Sequence, residues 1–426
     1  MNRQIEYKFD FKSSSFWFIF SILFSSSYVF FKIPFEFYFH YLFLFPVTLF
    51  LIIKFGIPKF YFKLFLIPLT IGLIHLGLEN NDLFTFFKIF GGLSVSTIFF
   101  YLILKIYNYN CLKVFEIYCN ACWILCIIAV IQVFSFIIEF KLGYDFSWLL
   151  NKWGLTYGGI IGFRVNSILP EPTYLATSLS PAVYISVRNL IHKNNFIFSK
   201  TQSIIVILIS ILTTSTVGYL GIIISLILSL DFLRLRYVLF IIIIFVLGFM
   251  VAYNNVSDFS NRVNSAKGLW VEEDFSINNT NNSSFVLYNN LHIAKQNLLN
   301  YPLFGTGLGS HETAFKKHTL TRSLIQYDFE FNIKDGNSLF VRLCTETGLC
   351  GLFFILIIIL NGFVYSSNIR GDAYHQKLLS HALFIFIILV LIRQGNYMLN
   401  GLPLMFLLYY FNGLSYHEKI DSLNGA

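Results

Sequence analysis

Few side chains in this 426-residue sequence could carry acid–base or electrostatic chemistry, and most of them gather in two connections between apolar runs. The first connection ends in GGIIGFRVNSILPEPTYLATSLSP, residues 158–181. It holds Arg164 and Glu171, and Pro170 and Pro172 bracket the glutamate. Proline suits the first turn of a helix, where its missing N–H costs nothing. Glu171 is therefore expected at a helix N-terminus, where the helix dipole favours a carboxylate. Two readings follow. Glu171 is a capping acid beside an interfacial arginine, or it is a proton acceptor next to a fixed cation that can take up developing negative charge.

The second connection contains LLNYPLFGTGLGSHETAF (298–315) and FNIKDGNSLFVRLCTETGLCGLFFIL (331–356). Its reagents are His292, His311, His318, Glu312, Asp335, Asn337, Arg262 and Arg322. Gly305, Gly307 and Gly309 imitate a nucleotide-binding fingerprint, but that fingerprint needs a preceding strand and a βαβ unit. The glycines are instead expected to permit a sharp turn or close approach to a ligand. Arg342 and Glu346 fall one or two turns into the next apolar run, and Arg393 lies late in the following one. Charged groups at such positions are costly unless they face a protein interior or a wet cavity.

The elements that must position these groups are apolar helices in lipid. Hydrophobic residues make up 56% of the chain and charged residues only 12%. The charged share is about half that of a soluble domain, too little to clothe so much apolar surface in water. The net charge of +8 fits basic residues held in cytoplasmic loops and needs no nucleic-acid partner. Cys119, Cys122 and Cys126, with Cys111 just before them, imitate metal-ligand spacing inside an apolar helix. No carboxylate-rich or histidine partner set accompanies them, so they read as small apolar packing residues. No metal and no cofactor is expected.

About twenty apolar residues cross a bilayer, which predicts an all-α, polytopic membrane protein of about a dozen spans. They fall near 15–32, 37–53, 60–78, 83–106, 114–139, 171–188, 202–214, 216–230, 237–253, 338–360, 378–394 and 401–415. The seventh and eighth are short and suit tilted or re-entrant half-helices. The first run lacks a cleavage site and reads as a span rather than a signal peptide. Three parts follow: residues 1–253 with nine helices and a smaller loop at 140–170, a large loop at 254–337, and residues 338–426 with three more helices and a tail. Polar NNTNNSS (278–284) suits a mobile piece of the large loop.

Lys54, Lys59, Lys105, Lys113, Arg188, Lys193, Lys200, Arg370 and Lys377 all fall in alternate connections. The positive-inside rule then puts both termini in the cytoplasm and the loops at 140–170 and 254–337 on the outer face of a bacterial inner membrane.

In this order and sidedness the pattern resembles the O-antigen polymerase and O-antigen ligase group of membrane glycosyltransferases. The resemblance rests on Arg164-Glu171-Pro172, LTTSTVGYLGIII (212–224), PLFGTGLG (302–309) and DGNSLFVRLCTETGLCGL (335–352), and covers roughly the C-terminal two-thirds. Ligases usually carry a His-Asn pair where this chain has Gly336-Asn337 after Asp335, which favours polymerase. Relatives often carry an arginine near Ser283-Ser284. Phe285, Val286 and Leu287 follow here, so that role falls to Arg262 or Arg322, or is absent.

The resemblance implies transfer of a growing glycan from undecaprenyl pyrophosphate to a sugar hydroxyl on a second lipid-linked repeat unit, without a metal. Membrane lipid and a chain-length regulator protein are the other partners it implies. Arginine suits the pyrophosphate leaving group because it stays charged and offers a planar fork. Arg164 and Arg393 are first for that task. Glu171 is the preferred base and His311 the second choice, while Arg262, Arg322, Asp335, Asn337 and Arg342 are expected to bind substrate. The competing readings are a ligase joining glycan to lipid A core, a lipid-linked oligosaccharide flippase, and a structural scaffold. A flippase would place its charges near the membrane midplane between repeats, whereas here they cluster in outward loops.

Overall fold

The computed structural model describes residues 11–32, 36–193, 195–230, 243, 246–250, 253–255, 257–272, 282–321, 331–365 and 371–424. The chain is mostly helical. In order its helices are α1 (Phe11–Phe24), α2 (Tyr41–Phe55), α3 (Lys59–Gly77), α4 (Leu83–Ile106), α5 (Cys111–Ile137), α6 (Lys141–Tyr144), α7 (Pro172–His192), α8 (Lys200–Leu212), α9 (Thr216–Ser229), α10 (Ser257–Val271), α11 (Asn282–Asn300), α12 (His311–His318), α13 (Leu339–Glu346), α14 (Gly348–Gly362), α15 (Asp372–Arg393) and α16 (Leu402–Asn424). Two small antiparallel hairpins interrupt the all-helical expectation: β1 (Val29–Phe31) with β2 (Phe37–Tyr38), and β3 (Thr156–Tyr157) with β4 (Phe163–Arg164).

Four stretches, Lys59–Gly77, Leu83–Ile106, Cys111–Ile137 and Ala373–Arg393, are long and apolar enough to cross a membrane. Their outer faces carry bare apolar side chains, among them Leu66, Ile67, Phe134 and Ile137. Such contiguous apolar exposure has no place in water. Five shorter apolar helices accompany them among the described residues. Helix α8, at 13 residues, is only about 20 Å long at the usual rise, so it falls short of a bilayer core of roughly 30 Å.

Three expected spans are corrected. The run at 15–32 stops being helical at Phe24, and its end forms β1. The run at 338–360 is broken between α13 and α14, where Gly348 takes φ +60°. The reason is a neighbouring loop. Gly305 inserts so closely that its added Cβ would lie 2.5 Å from the Thr345 carbonyl oxygen. The loop's Thr306 and Gly307 N–H groups bond the Thr345 and Glu346 carbonyls at 3.1 and 2.9 Å, so the freed helix end is satisfied by protein. The sixth span begins one residue late: the helix starts at Pro172 and Glu171 lies outside it. The ninth span, at 237–253, lies largely outside the described residues, as does most of the NNTNNSS stretch. Its last three residues open α11.

The centre of the bundle is α7, which packs on α8, α9, α15 and α5. It is rich in serine, threonine and alanine, and Ser178, Ser180 and Ser186 are buried. Small residues let helices approach closely. A Cβ on Gly218 of α9 would lie 3.2 Å from that of Ala176. Cys119, Cys122 and Cys126 sit on the buried face of α5, with Cys122 Sγ 3.5 Å from the Ser178 carbonyl oxygen.

The charged groups fall at the two ends of the bundle. At one end Tyr107 bonds Ser15 at 2.5 Å, Lys54 and Lys105 flank the Phe55 ring, and Arg188 lies over Tyr374. The other end carries the residues singled out for chemistry.

Candidate functional site

The connection bearing Arg164 and Glu171 is held by a buried polar network that the sequence did not suggest. Gln132 of α5 donates to Asn166 Oδ1 and to the Tyr144 carbonyl, both at 3.1 Å. Its own Oε1 accepts the Ser167 N–H at 2.9 Å. Asn166 Nδ2 in turn donates to the Leu169 carbonyl at 2.9 Å, and Trp153 donates to the Ser167 carbonyl at 2.8 Å. A satisfied buried network of this kind rigidifies what it holds. Here it fixes the chain on both sides of Ser167, a non-glycine residue at φ +52°.

Glu171 is the N-cap residue of α7, yet its side chain makes no capping bond. Its backbone carbonyl does that work, accepting from the Tyr174 N–H at 3.1 Å. The carboxylate is thus left at the surface, uncommitted among the described residues. Burial of part of its surroundings, then the Asp335 carboxylate, raise its carboxyl above the usual range, against the pull of Arg393, Arg164 and Lys152. Dihedral freedom is low as well, because Pro172 follows it.

Arg164 ends β4, and its Nε donates to the Thr213 carbonyl at 3.2 Å. The adjoining Val165 N–H bonds the Leu212 carbonyl at 3.1 Å. Thr214, in the same α8–α9 turn, takes φ +44°, a strained value for a β-branched residue. Arg393 is the last residue of α15 and lies within electrostatic reach of both Glu171 and Asp335. Asp335 belongs to an Asx-type turn, its Oδ1 accepting the Asn337 N–H at 3.1 Å, a motif that aspartate favours. This turn is tied to α15, since Ser338 Oγ donates to the Leu391 carbonyl at 2.7 Å. Gly395 lies against the turn so closely that a Cβ there would meet the Asp335 carbonyl oxygen at 1.7 Å.

Two of the expected reagents occupy structural positions. His311 is fully buried, with Nε2 3.0 Å from Asn290 Oδ1 and Nδ1 3.1 Å from Thr345 Oγ1. Asn290 spends its amide N–H groups on the Val286 and Phe331 carbonyls, so its oxygen accepts and His311 Nε2 carries the proton. Burial, then the Arg342 charge, push this imidazole down to about 3. Neutral and bonded at both nitrogens, it has no free lone pair for a substrate.

Arg342 is buried too, with Nε 2.6 Å from Glu346 Oε1 and Nη1 2.9 Å from the Gly395 carbonyl. Its guanidinium stacks on Tyr397 at 4.3 Å, and Tyr397 donates to the other Glu346 oxygen at 2.9 Å. Arg342 therefore braces the segment just beyond Arg393 rather than meeting solvent. Asn337 takes φ +57° next to Gly336. Arg262 lies in α10 with its side chain outside the described residues, and Arg322 lies wholly outside them.

The PLFGTGLG glycines meet protein, not a vacant cradle. A Cβ on Gly307, at φ +90°, would stand 2.8 Å from the Gly72 Cα of α3, and one on Gly309 would stand 3.1 Å from Thr85 of α4. The large loop is thus a docked helical cap. Asn81 Nδ2 donates to the Leu308 carbonyl at 2.9 Å, and Lys317 donates to Asn80 Oδ1 at 2.8 Å.

Three further charged residues join the site. Lys152 pairs with Glu36 at 2.5 Å, and Tyr38 bonds both of them. Lys88, one turn into α4, is within electrostatic reach of Glu36, Lys334, Lys152 and Arg342. Two of them had a signal in the sequence. Glu36 is the lone carboxylate between Asp10 and Glu79, and Lys88 interrupts an apolar helix. A lone charge in such a setting marks a wet or protein-lined place.

The arrangement can bind a polyanion between cations from several elements and accept a proton at Glu171. No group of metal-binding side chains occurs among the described residues. No family model matches the chain, and no curated protein is significantly similar to it.

Proposed function

We propose that this chain is a bacterial polysaccharide polymerase, acting on O-antigen or capsule repeat units carried by undecaprenyl pyrophosphate. In this reading the end of the bundle bearing Glu171 faces away from the cytoplasm, and both termini lie inside. The observation that carries it is the uncommitted carboxylate of Glu171 within electrostatic reach of the guanidinium groups of Arg393 and Arg164.

The reaction divides between these groups. The anomeric carbon–oxygen bond to the donor pyrophosphate breaks, and the leaving oxygens gain negative charge. Arg164 and Arg393 receive that charge through planar, permanently protonated donors. The acceptor hydroxyl forms the new glycosidic bond and gives its proton to Glu171. A carboxyl raised above its usual range is the stronger base for that step, provided it is ionised at the working pH. The proton then passes to water and the polyprenyl pyrophosphate departs. Asp335 tunes Glu171, while Arg342, Glu346 and Tyr397 hold the segment that follows Arg393.

The test is genetic. In a strain lacking this protein the surface glycan falls to single repeat units, and the wild-type chain restores long ladders. Unattached polymer in that strain would point to a ligase, and lipid intermediates stranded on the cytoplasmic face to a flippase. Either result removes the polymerase reading.

A further inference from the structure

At the end of the bundle remote from Glu171, a cleft of about 460 Å³ opens between the start of α5, the start of α15 and the middle of α16. That volume lies within the range of small-ligand sites, roughly 300–1,000 Å³. Along α15, about 25 Å of helix separates Gln376 in this cleft from Arg393.

The floor of the cleft holds a polar group short of a partner. Gln376 is 6% exposed. Its Nε2 donates to Ser415 Oγ at 3.0 Å, and its backbone carbonyl accepts from Asn412 Nδ2 at 2.9 Å. Its Oε1 is buried and has no hydrogen-bond partner among the described residues. A buried oxygen left in that state costs stability, and a donor brought by a ligand relieves the cost. Gln376, Asn412 and Ser415 all line the cleft, so a bound molecule can reach this floor.

The α5 wall offers a donor. Asn110 caps that helix, its Oδ1 accepting the Lys113 N–H at 3.0 Å and its carbonyl the Val114 N–H at 3.3 Å. The Leu112 N–H, in the same first turn, has no acceptor within its own helix. At the rim Lys113 and Glu116 neutralise one another as a pair at 2.9 Å. Tyr109 stands exposed there at φ +55°, its hydroxyl donating to that of Tyr101 at 3.0 Å.

The lining thus sets acceptor beside donor, carries no net charge and includes an aromatic ring. Hydroxyl groups suit it, because each can both donate and accept. A phosphate or carboxylate only accepts, and would meet Gln376 Oε1 and the Glu116 carboxylate unfavourably. We propose that this cleft binds a small uncharged polyhydroxyl ligand, a sugar. One hydroxyl donates to Gln376 Oε1, another accepts from the Leu112 N–H, and a ring face lies on Tyr109. The ligand bridges α5 to α15 and α16. Its recognition is separate from the polymerase reading, which concerns the other end of the bundle.

The experiment titrates the full chain in phosphatidylcholine nanodiscs with glucose, galactose and N-acetylglucosamine, read by saturation-transfer NMR. At least one sugar should bind saturably. Gln376→Leu removes the orphan oxygen and should weaken that sugar about five- to tenfold, as for a lost hydrogen bond, while the melting temperature holds. Leu112→Trp, which fills the cleft from the α5 side, should weaken it at least as much. Glu171→Gln should leave the affinity unchanged, which separates this cleft from any sugar held at the other end. Absence of saturable binding by all three sugars leaves the cleft to water and overturns the proposal. So do Gln376→Leu and Leu112→Trp proteins that bind like wild type, or binding lost only in Glu171→Gln. Displacement of the sugar by inorganic phosphate would mark an anion site instead and equally overturn it.

Discussion

Glu171 at the N-terminus of α7 and Arg393 at the C-terminus of α15 lie within electrostatic reach of one another at one end of two packed helices. Each charge sits at the helix end whose dipole favours it, so the pair is supported by the backbone as well as by mutual attraction. Neither side chain has a hydrogen-bond partner among the described residues to satisfy it in advance.

Replacing Glu171 and His311 in turn should separate the two candidates for the base. Glu171→Gln is expected to cut polymer formation by roughly 100-fold or more, the range for a lost general base, without loss of inserted protein. His311→Ala should lower protein level or melting temperature, because it strands Asn290 Oδ1 in a buried place and leaves a cavity where the ring was. Activity per folded molecule should remain. The reverse ranking, read from glycan ladders normalised to membrane-inserted protein, would move the base to the large loop.

The acid limb of the activity profile should report Glu171. Its raised carboxyl means activity rises with pH through a midpoint above the ordinary glutamate range. Asp335→Asn removes a negative neighbour and should shift that midpoint down. Arg393→Gln removes a positive one and should shift it up, as well as slowing the reaction. Rates measured from pH 4 to 9 on reconstituted protein would show both shifts. A midpoint indifferent to both changes would mean that another group titrates.

The buried Arg342–Glu346 pair is expected to be structural. Breaking it with Arg342→Met leaves Glu346 uncompensated in a dry place, a loss of about 3–5 kcal/mol. The matched pair Arg342→Met with Glu346→Leu should recover most of that stability while leaving the segment after Arg393 less well placed. Thermal unfolding read beside activity tests this. Stability unaffected by the single change would remove the bracing role.

Gly307→Ala should undock the large loop. Both the φ of +90° and the 2.8 Å approach to the Gly72 Cα forbid a side chain there. An alanine is expected to cost about 1–3 kcal/mol through overpacking, and to speed proteolysis between 298 and 321. Unchanged cleavage would show that the loop's docking does not depend on that contact.

Much of the site could be read from isolated charges in apolar surroundings. Arg164, Glu171 and Arg393 stood out because nothing near them in sequence explains them, and the fold brings all three to one end. His311 misled for a physical reason: a histidine in a polar loop looks available until its packing is known. The break between α13 and α14 was also hidden. CTETGLCGL is apolar enough to continue a helix, and only the inserted PLFG turn, far back in sequence, supplies the partners that end it. Gln132 stayed invisible because one amide in a long apolar helix gives no sign of what it will hold. Lys152 and Glu36 form a pair across more than a hundred residues, which no local spacing reveals.

The central claim, that Glu171 accepts the acceptor hydroxyl's proton while Arg164 and Arg393 receive the leaving pyrophosphate, is most directly tested by reconstitution. Purified wild-type and Glu171→Gln protein would be given the lipid-linked repeat unit of the source strain. Wild type should yield polymers, releasing one polyprenyl pyrophosphate per bond formed, while the variant binds the substrate but leaves single units. Polymer formed by the variant at the wild-type rate would contradict the account.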